Sequence, residues 1–402
     1  MVQGLGAFVG LFVNPSSAIL VSVTVVLLAV WRVVAMTEAM TGLSRPGTPE
    51  RRRGTVALVI LAVVVAGSHG WVAAATWSMY EAGRDIFVGE TVVPQATAST
   101  GPNSGVVIGG QDVQPQPFST PETPTSRVNV LVVGIDSSES RQTALTDTLL
   151  VVSVDPHDGS IAMVSFPRDI ADFELPDGRT FRGKINSLLT WARNHPEEFP
   201  EGPLPTLAGA LSHLLGVPIQ YYAAIDLDGF RQMVDSVGGV TIDNQTVIND
   251  PTYGWADGRM GFRLSVGEHR LDGEQALAYV RTRKGVGDSD FSRARRQQQL
   301  LLALRQEITT SNTLLRIPEL TRAIGQTIDT NFPAGRVGEF IDIALGIDTG
   351  NVVQKVLGPP FAVRATGPNV FDYRLRLDMA RLAALSIELF GDDSRYAEAA
   401  PP

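Results

Sequence analysis

The 402-residue chain contains no cysteine, which excludes a disulfide framework and any thiolate-bound metal. Histidine is scarce: His69, His157, His195, His213 and His269 are scattered without ligand spacing, so neither a zinc site nor a Ser-His-Asp triad is expected. Charge is missing from the first 31 residues and again from Gly54–Tyr80. Basic residues are in deficit over most of the chain. Residues 1–78 hold five arginines and two glutamates, net +3, whereas the remainder has 28 basic and 40 acidic residues, net −12. A domain this acidic is a poor general binder of nucleic acid, so its arginines must be used locally. No internal repeat is visible.

The charge-free stretches are the first positive feature. Ala18–Met36 is almost wholly apolar, broken only by Arg32, and Gly54–Tyr80 runs for 27 residues; each reaches the length of about 20 that a membrane helix needs. No positive charge precedes the first, as a cleavable leader requires, so both are expected to be anchors. Arg45, Arg51, Arg52 and Arg53 lie between them, and a basic loop stays cytoplasmic. The expected organisation is a multi-pass membrane anchor over 1–80 with a cytoplasmic loop 37–53, then an extracytoplasmic Pro/Ser/Thr/Gly-rich linker over 81–126. An extracytoplasmic domain over 127–391 and a flexible tail over 392–402 complete it.

Three apolar runs open the domain, Val128–Ile135, Thr148–Val154 and Ile161–Phe166, with a tight reversal at Asp155-Pro-His-Asp-Gly159. Run up, down and up, these strands bring Asp136, Asp147 and Arg168 to one edge. Ile185–Asn194 and Thr206–Leu215 read as helices, Gln220–Ile225 as a strand and Asp228–Val237 as a helix ending at Gly238-Gly239. Val240–Ile242 is a strand, Leu314–Ile328 and Val337–Leu345 are helices, Val352–Leu357 a strand and Asp378–Phe390 the last helix. Strands alternating with helices predict an α/β fold: a layered α/β/α domain with a mixed central sheet, preceded by two transmembrane helices.

The chemistry concentrates in Tyr279–Gln298. Alternation predicts a strand carrying Tyr279, Arg281 and Arg283 on one face. After a Gly285–Gly287 turn a helix starts near Asp290, with Asp290, Arg293 and Gln297 on a stripe that Leu300, Leu301, Leu304 and Ile308 continue. Arg295, Gln298, Gln299 and Arg305 point the other way. An arginine on a buried stripe needs an anion, and guanidinium forks suit phosphate.

The ordered segments resemble the LytR-CpsA-Psr proteins of bacterial cell envelopes. They are Val-Gly-Ile-Asp136 with Thr-Asp147-Thr, Ser-Phe-Pro-Arg168-Asp169, Lys184-Ile-Asn186 and Asp228-Gly-Phe through Val-Gly-Gly-Val240. Leu-Asp272-Gly through Ala-Leu-Ala-Tyr-Val-Arg281-Thr-Arg283 follows, and then Asp290-Phe-Ser-Arg293-Ala-Arg-Arg-Gln297-Gln298, within Val128 to Ile308. The resemblance implies a phosphotransferase that moves an envelope glycopolymer from a polyprenyl-pyrophosphate carrier to peptidoglycan, forming a phosphodiester. It implies magnesium on Asp136 and Asp147, a pyrophosphate gripped by Arg168, Arg281, Arg283 and Arg293, and a pocket completed by Lys184 and Gln297. Partners implied are the carrier-linked glycopolymer, the peptidoglycan acceptor and the membrane, with no nucleic acid. Family members carry arginine two residues before Asp147, where this chain has Leu145; Arg141 is the candidate replacement.

This chemistry suits the residues, because phosphoryl transfer asks mainly for positioning and charge neutralisation. Arg281 and Arg283 are the catalytic candidates. With them, Asp290 serves either as base for the acceptor hydroxyl or as the group orienting Arg293. A lipid carrier also requires an apolar slot. Two other readings share these residues: a polyprenyl-pyrophosphate phosphatase with water as acceptor, and a membrane-bound transcription attenuator or signalling protein, for which no helix-turn-helix pattern is present.

Overall fold

Two long apolar helices open the computed structural model, which describes residues 15–43, 49–86, 106–108, 111–113, 127–136, 145–283, 289–308, 328–333, 336, 339, 342–343, 350–367, 370 and 372–397. These helices, α1 (Pro15–Leu43) and α2 (Pro49–Ile86), pack against each other. Each holds a segment long and apolar enough to cross a membrane, Ser17–Glu38 and Leu58–Ser78. Leu20, Leu27, Trp31 and Val63 stand exposed on them; helices apolar all round belong in a core or a bilayer. The linker contributes one short described hairpin, β1 (Val106–Ile108) with β2 (Gln111–Val113).

The domain runs β3 (Val128–Asp136), β4 (Leu145–Val154), β5 (Ile161–Ser165), β6 (Ala171–Glu174), β7 (Thr180–Lys184), α3 (Ile185–Asn194), α4 (Pro203–Leu215) and β8 (Tyr221–Asp226). It continues α5 (Leu227–Ser236), β9 (Val240–Asn244), β10 (Ile248–Gly254), β11 (Met260–Leu264), β12 (Gly267–Leu271), α6 (Gly273–Arg281) and α7 (Asp290–Ile308). It closes with β13 (Ile328–Thr330), β14 (Val352–Val356), β15 (Ala362–Arg364), β16 (Leu375–Leu377) and α8 (Met379–Phe390). The central sheet has the order β13-β8-β3-β4-β5-β14. β3, β4 and β5 form the expected antiparallel meander, while β8 joins β3 and β14 joins β5 in parallel, so the sheet is mixed.

Alternation along the strands sends side chains to two cores. Leu131, Val133, Leu149, Val151 and Val164 meet Leu188 and Leu189 of α3, Leu207 and Leu211 of α4 and Leu382 of α8. The opposite face, through Leu150 and Met163, meets Leu301 and Leu302 of α7. A third core ties α5, α6 and α7 to the β9–β12 hairpins through Val234, Leu271, Tyr279 and Leu300. Burial on both faces is why these strands read as apolar runs.

Two expectations are corrected. Tyr279–Arg283 is not a strand: α6 continues through Arg281, and Thr282 and Arg283 lie past its end. Asp272 and Gln275 form a reciprocal capping box and Ala276, Leu277, Tyr279 and Val280 are buried. A capped helix with a core face outweighs five residues of alternation. Nor is the whole tail loose. After the turn at Gly391–Asp393, Tyr396 is fully buried, and Arg395 donates to the His213 carbonyl at 2.7 Å. Gly216 (φ +81°) makes the room, since a Cβ there would lie 2.1 Å from the Tyr396 ring. Gly4–Val13, Gly285–Gly287, all of the expected helix Leu314–Ile328 except Ile328, which opens β13, and most of Val337–Leu345 lie outside the described residues.

Candidate functional site

A one-residue slip between β3 and β4 builds the site. Gly134 pairs with Thr148 but Ile135 pairs with Thr146. The bulge lets the consecutive residues Asp147 and Thr148 line the same cavity, which regular alternation forbids. Gly134 is required here: a Cβ would sit 2.8 Å from the Thr148 hydroxyl. Asp136 reaches the same rim at the end of β3.

Arginines approach from both sides. Arg168, in the turn after β5, donates to the Asp147 carboxylate at 2.5 Å, and its Nε lies 3.7 Å from Asp169. Across the rim Arg281 ends α6 with Nη2 3.7 Å from Asp136. Asp290 joins Arg283 at 3.6 Å and Arg293 at 3.3 Å, and Arg293 donates to the Asp147 carbonyl at 3.3 Å. Gln297 lines the cavity and donates to the Val280 carbonyl. Lys184 stands one ion pair back, held by Asp169 at 2.8 Å and Asp372 at 3.5 Å, and does not line the cavity. Leu145 is exposed, opposite Asp136 in the ladder and off the cavity wall. Arg141 lies outside the described residues.

Burial pushes the Asp147 carboxyl up, but Arg293, Arg168 and Arg283 together hold it below the usual carboxylate value. For Arg168, burial pulls down while Asp147 more than offsets it, so its guanidinium is held above the usual value. Arg293 is 4% exposed, and burial leaves it below the usual arginine value despite Asp147 and Asp290. The Nε donors of Arg168 and Arg293 are buried without a hydrogen-bond partner, which suits an acceptor-rich ligand. Arg281 and Arg293 line the cavity with Asp136, Asp147 and Asp226, the last capping α5 by accepting from the Gly229 amide. Arg168, Arg283 and Asp290 do not line it but join the cluster by ion pairs, making four guanidinium groups and four carboxylates. The rim is therefore close to neutral, and a dianionic ligand calls for added positive charge.

Behind the rim the cavity is apolar. Val132 and Leu150 of the sheet face Phe230, Met233, Leu300 and Leu304 across the cleft. This lining was not identified from the sequence, although its clue was the leucine stripe of α7 continuing from Arg293.

α7 also departs from the expected single inward face. Gln298 is fully buried, donating to the Ser165 hydroxyl at 2.8 Å and the Lys355 carbonyl at 3.0 Å. Arg296 is buried too, donating to the Tyr279 and Thr282 carbonyls. The reason is that α7 sits between the sheet on one side and α6 with β9 on the other.

The LytR_cpsA_psr family model matches residues 99–358. The chain is 31% identical over 204 residues to the polyisoprenyl-teichoic acid–peptidoglycan teichoic acid transferase TagU of Halalkalibacterium halodurans, 50% of this chain and 60% of that protein. It is 30% identical over 236 residues to the regulatory protein MsrR of Staphylococcus aureus, 58% of this chain and 65% of that protein. The chain thus spans less than two thirds of the length of these curated relatives. Its fold is similar to the crystal structure of Bacillus subtilis TagV, with TM-score 0.51 and 23% identity, covering 69% of this chain and 99% of that one.

Proposed function

The chain belongs to the LytR_cpsA_psr family, and from that premise we propose that it transfers an envelope glycopolymer from a polyprenyl-pyrophosphate carrier to a peptidoglycan hydroxyl. The observation that carries this reading is the cavity's division into an apolar well and a rim of arginines and carboxylates. An amphiphile with a hydrocarbon tail and a diphosphate head matches both halves. The well takes the start of the prenyl chain, and Arg168, Arg281, Arg283 and Arg293 surround the diphosphate, where preorganised charge lowers the barrier most.

The acceptor oxygen attacks the phosphorus bearing the glycopolymer. The bond from that phosphorus to the bridging oxygen breaks, prenyl phosphate leaves with the bridging oxygen, and the acceptor proton is lost. Arg281 and Arg283 are placed to neutralise charge on the transferring and leaving phosphates. Asp290 holds Arg283 and Arg293 in register, which its distances support more directly than the role of base. Lys184 supports Arg168 through Asp169. Asp136 and Asp147 are hard oxygen donors on one rim, a set that suits magnesium completed by phosphate oxygens and water. When bound, the ion would add the two positive charges that the neutral rim lacks. In this reading the basic loop 37–53 is cytoplasmic, and the protein is a multi-pass membrane protein with its domain outside.

The test is turnover of a prenyl-pyrophosphate glycan by the full chain in detergent, with and without peptidoglycan fragments. A phosphodiester product that needs the acceptor is expected, with Arg281→Ala and Arg283→Ala folded but at least roughly hundredfold slower. Phosphate-ester release without acceptor would favour the phosphatase reading. Undiminished transfer by both variants would defeat the proposal.

A further inference from the structure

The two rim arginines at and just past the end of α6 are soft at their tips. Arg281 and Arg283 are 36% and 38% exposed, and their carboxylate partners lie 3.7 and 3.6 Å away. Long side chains on such contacts do not hold one geometry by themselves. The backbone between them is treated differently. Thr282 is 1% exposed, and its hydroxyl donates to the Asp250 carboxylate at 2.6 Å. Its carbonyl accepts from the buried Arg296, which also satisfies the Tyr279 carbonyl at the end of α6.

Asp250 comes from β10, more than 30 residues earlier and outside the sequence motifs. It is 3% exposed, and its other oxygen accepts from the amide and hydroxyl of Thr252 at 3.0 and 2.8 Å. The ladder slips at this point: Asp250 pairs with Phe262 and Gly254 with Met260, so Pro251–Tyr253 face only Gly261. The resulting bulge brings Tyr253 near Arg281: burial pushes its hydroxyl up, and the Arg281 guanidinium charge opposes that push. Bulges of this kind re-aim side chains beside functional sites. The hairpin therefore grips the arginine segment at Thr282, beside Arg281.

We propose that Asp250 is a positioning residue for the arginine pair, acting through Thr282: it fixes the end of α6, from which Arg281 on one side of Thr282 turns to Asp136 and Arg283 on the other turns to Asp290. The role rests on the phosphate-gripping function given above. Reaching a dispersed anion needs the two guanidinium groups at a set separation, and displacement by about 1 Å is enough to lose roughly a hundredfold in rate.

Inorganic pyrophosphate binding to the full chain in detergent, measured by calorimetry alongside transfer, tests this. Thr282→Val keeps the shape and removes the donor. It is expected to weaken pyrophosphate about tenfold and to slow transfer at least as much, while Thr282→Ser restores both. Asp250→Asn, of matching volume, is expected to behave like Thr282→Val. Because the role is exerted through the arginines, Thr282→Val in an Arg283→Ala background is expected to add less than about twofold. A folded Thr282→Val protein with parental pyrophosphate affinity would overturn the positioning role. So would a second full tenfold loss in the Arg283→Ala background. If Arg281→Ala and Arg283→Ala both leave pyrophosphate binding and transfer intact, the functional reading fails and the positioning role with it.

Discussion

Replacing Arg293 with methionine separates what the rim does for folding from what it does for chemistry. The arginine is 4% exposed and sits 3.3 Å from both the Asp147 carbonyl and the Asp290 carboxylate. Burial lowers its proton affinity even against Asp147 and Asp290, so without substrate the desolvation outweighs what the carboxylates return. Replacing a whole buried ion pair by apolar residues of similar volume is commonly neutral or stabilising by about 1–4 kcal/mol, whereas removing one partner is costly when it strands the other charge. The lower half of that range applies, because Asp147 keeps Arg168 and Asp290 keeps Arg283, so neither carboxylate is stranded. For a domain of this size about 0–2 kcal/mol corresponds to a rise in Tm of roughly 0–8 °C. Activity moves the other way. Removing one preorganised donor from a dry anion site lowers turnover by about 10²–10³. Melting of the ligand-free full chain in detergent, read beside its transfer rate, is the assay. A Tm depressed by more than about 5 °C with transfer intact would show that Arg293 is a structural ion pair, and would refute the reasoning.

Leu301→Trp narrows the well from the α7 side and is expected to raise KM about tenfold for a long-chain prenyl donor, with little change for a donor of two isoprene units; equal effects on both would place the tail elsewhere. Asp147 gives a pH signature. Its folded carboxyl is held below the usual value by Arg293, Arg168 and Arg283 against burial, so its contribution is fully present above the unfolded value of 3.8 and is lost as pH falls through the lower folded value. Asp147→Asn is therefore expected to lower Tm by roughly 2–8 °C at pH 7, from about 1–2 kcal/mol, with the gap to the parent closing below about pH 4 in parallel thermal scans.

The sheet was readable in the sequence because β3, β4 and β5 are buried on both faces, leaving unbroken runs of Val, Leu and Ile. Their up-down-up order was enough to bring Asp136, Asp147 and Arg168 together before any coordinates. The slip that lets Asp147 and Thr148 share one wall was not readable, since a bulge depends on what the neighbouring strand presents. β9 was read at Val240–Ile242, but the β10–β11 hairpin went unread for a related reason: its strands are half exposed and interrupted by Pro251, Gly254 and Gly261, so no long apolar run marks it. Tyr279–Arg283 misled because a five-residue alternation fits the end of a helix as well as a strand, and the discriminating signal lay upstream in the Asp272–Gln275 capping box.

α7 explains why the arginines could be recognised while their support could not. Arg293 and Gln297 face the cavity together with Leu300, Leu301 and Leu304, a stripe that hydrophobic periodicity picks out. The residues between them do the holding: Arg296 closes the end of α6 and Gln298 anchors the helix to Ser165 and Lys355. A polar residue on the far side of an amphipathic helix is ordinarily solvated, and only a second layer packed against that side changes its role. For Arg296 that layer is α6, packed with β9 on one flank of the helix, while Gln298 is buried against β5 and β14 of the sheet on the other. The apolar well and the charged rim are consequently set by one rigid element. A shift of α7 that opened the well would also pull Arg293 from Asp147, so hydrocarbon and phosphate recognition are expected to be gained or lost together.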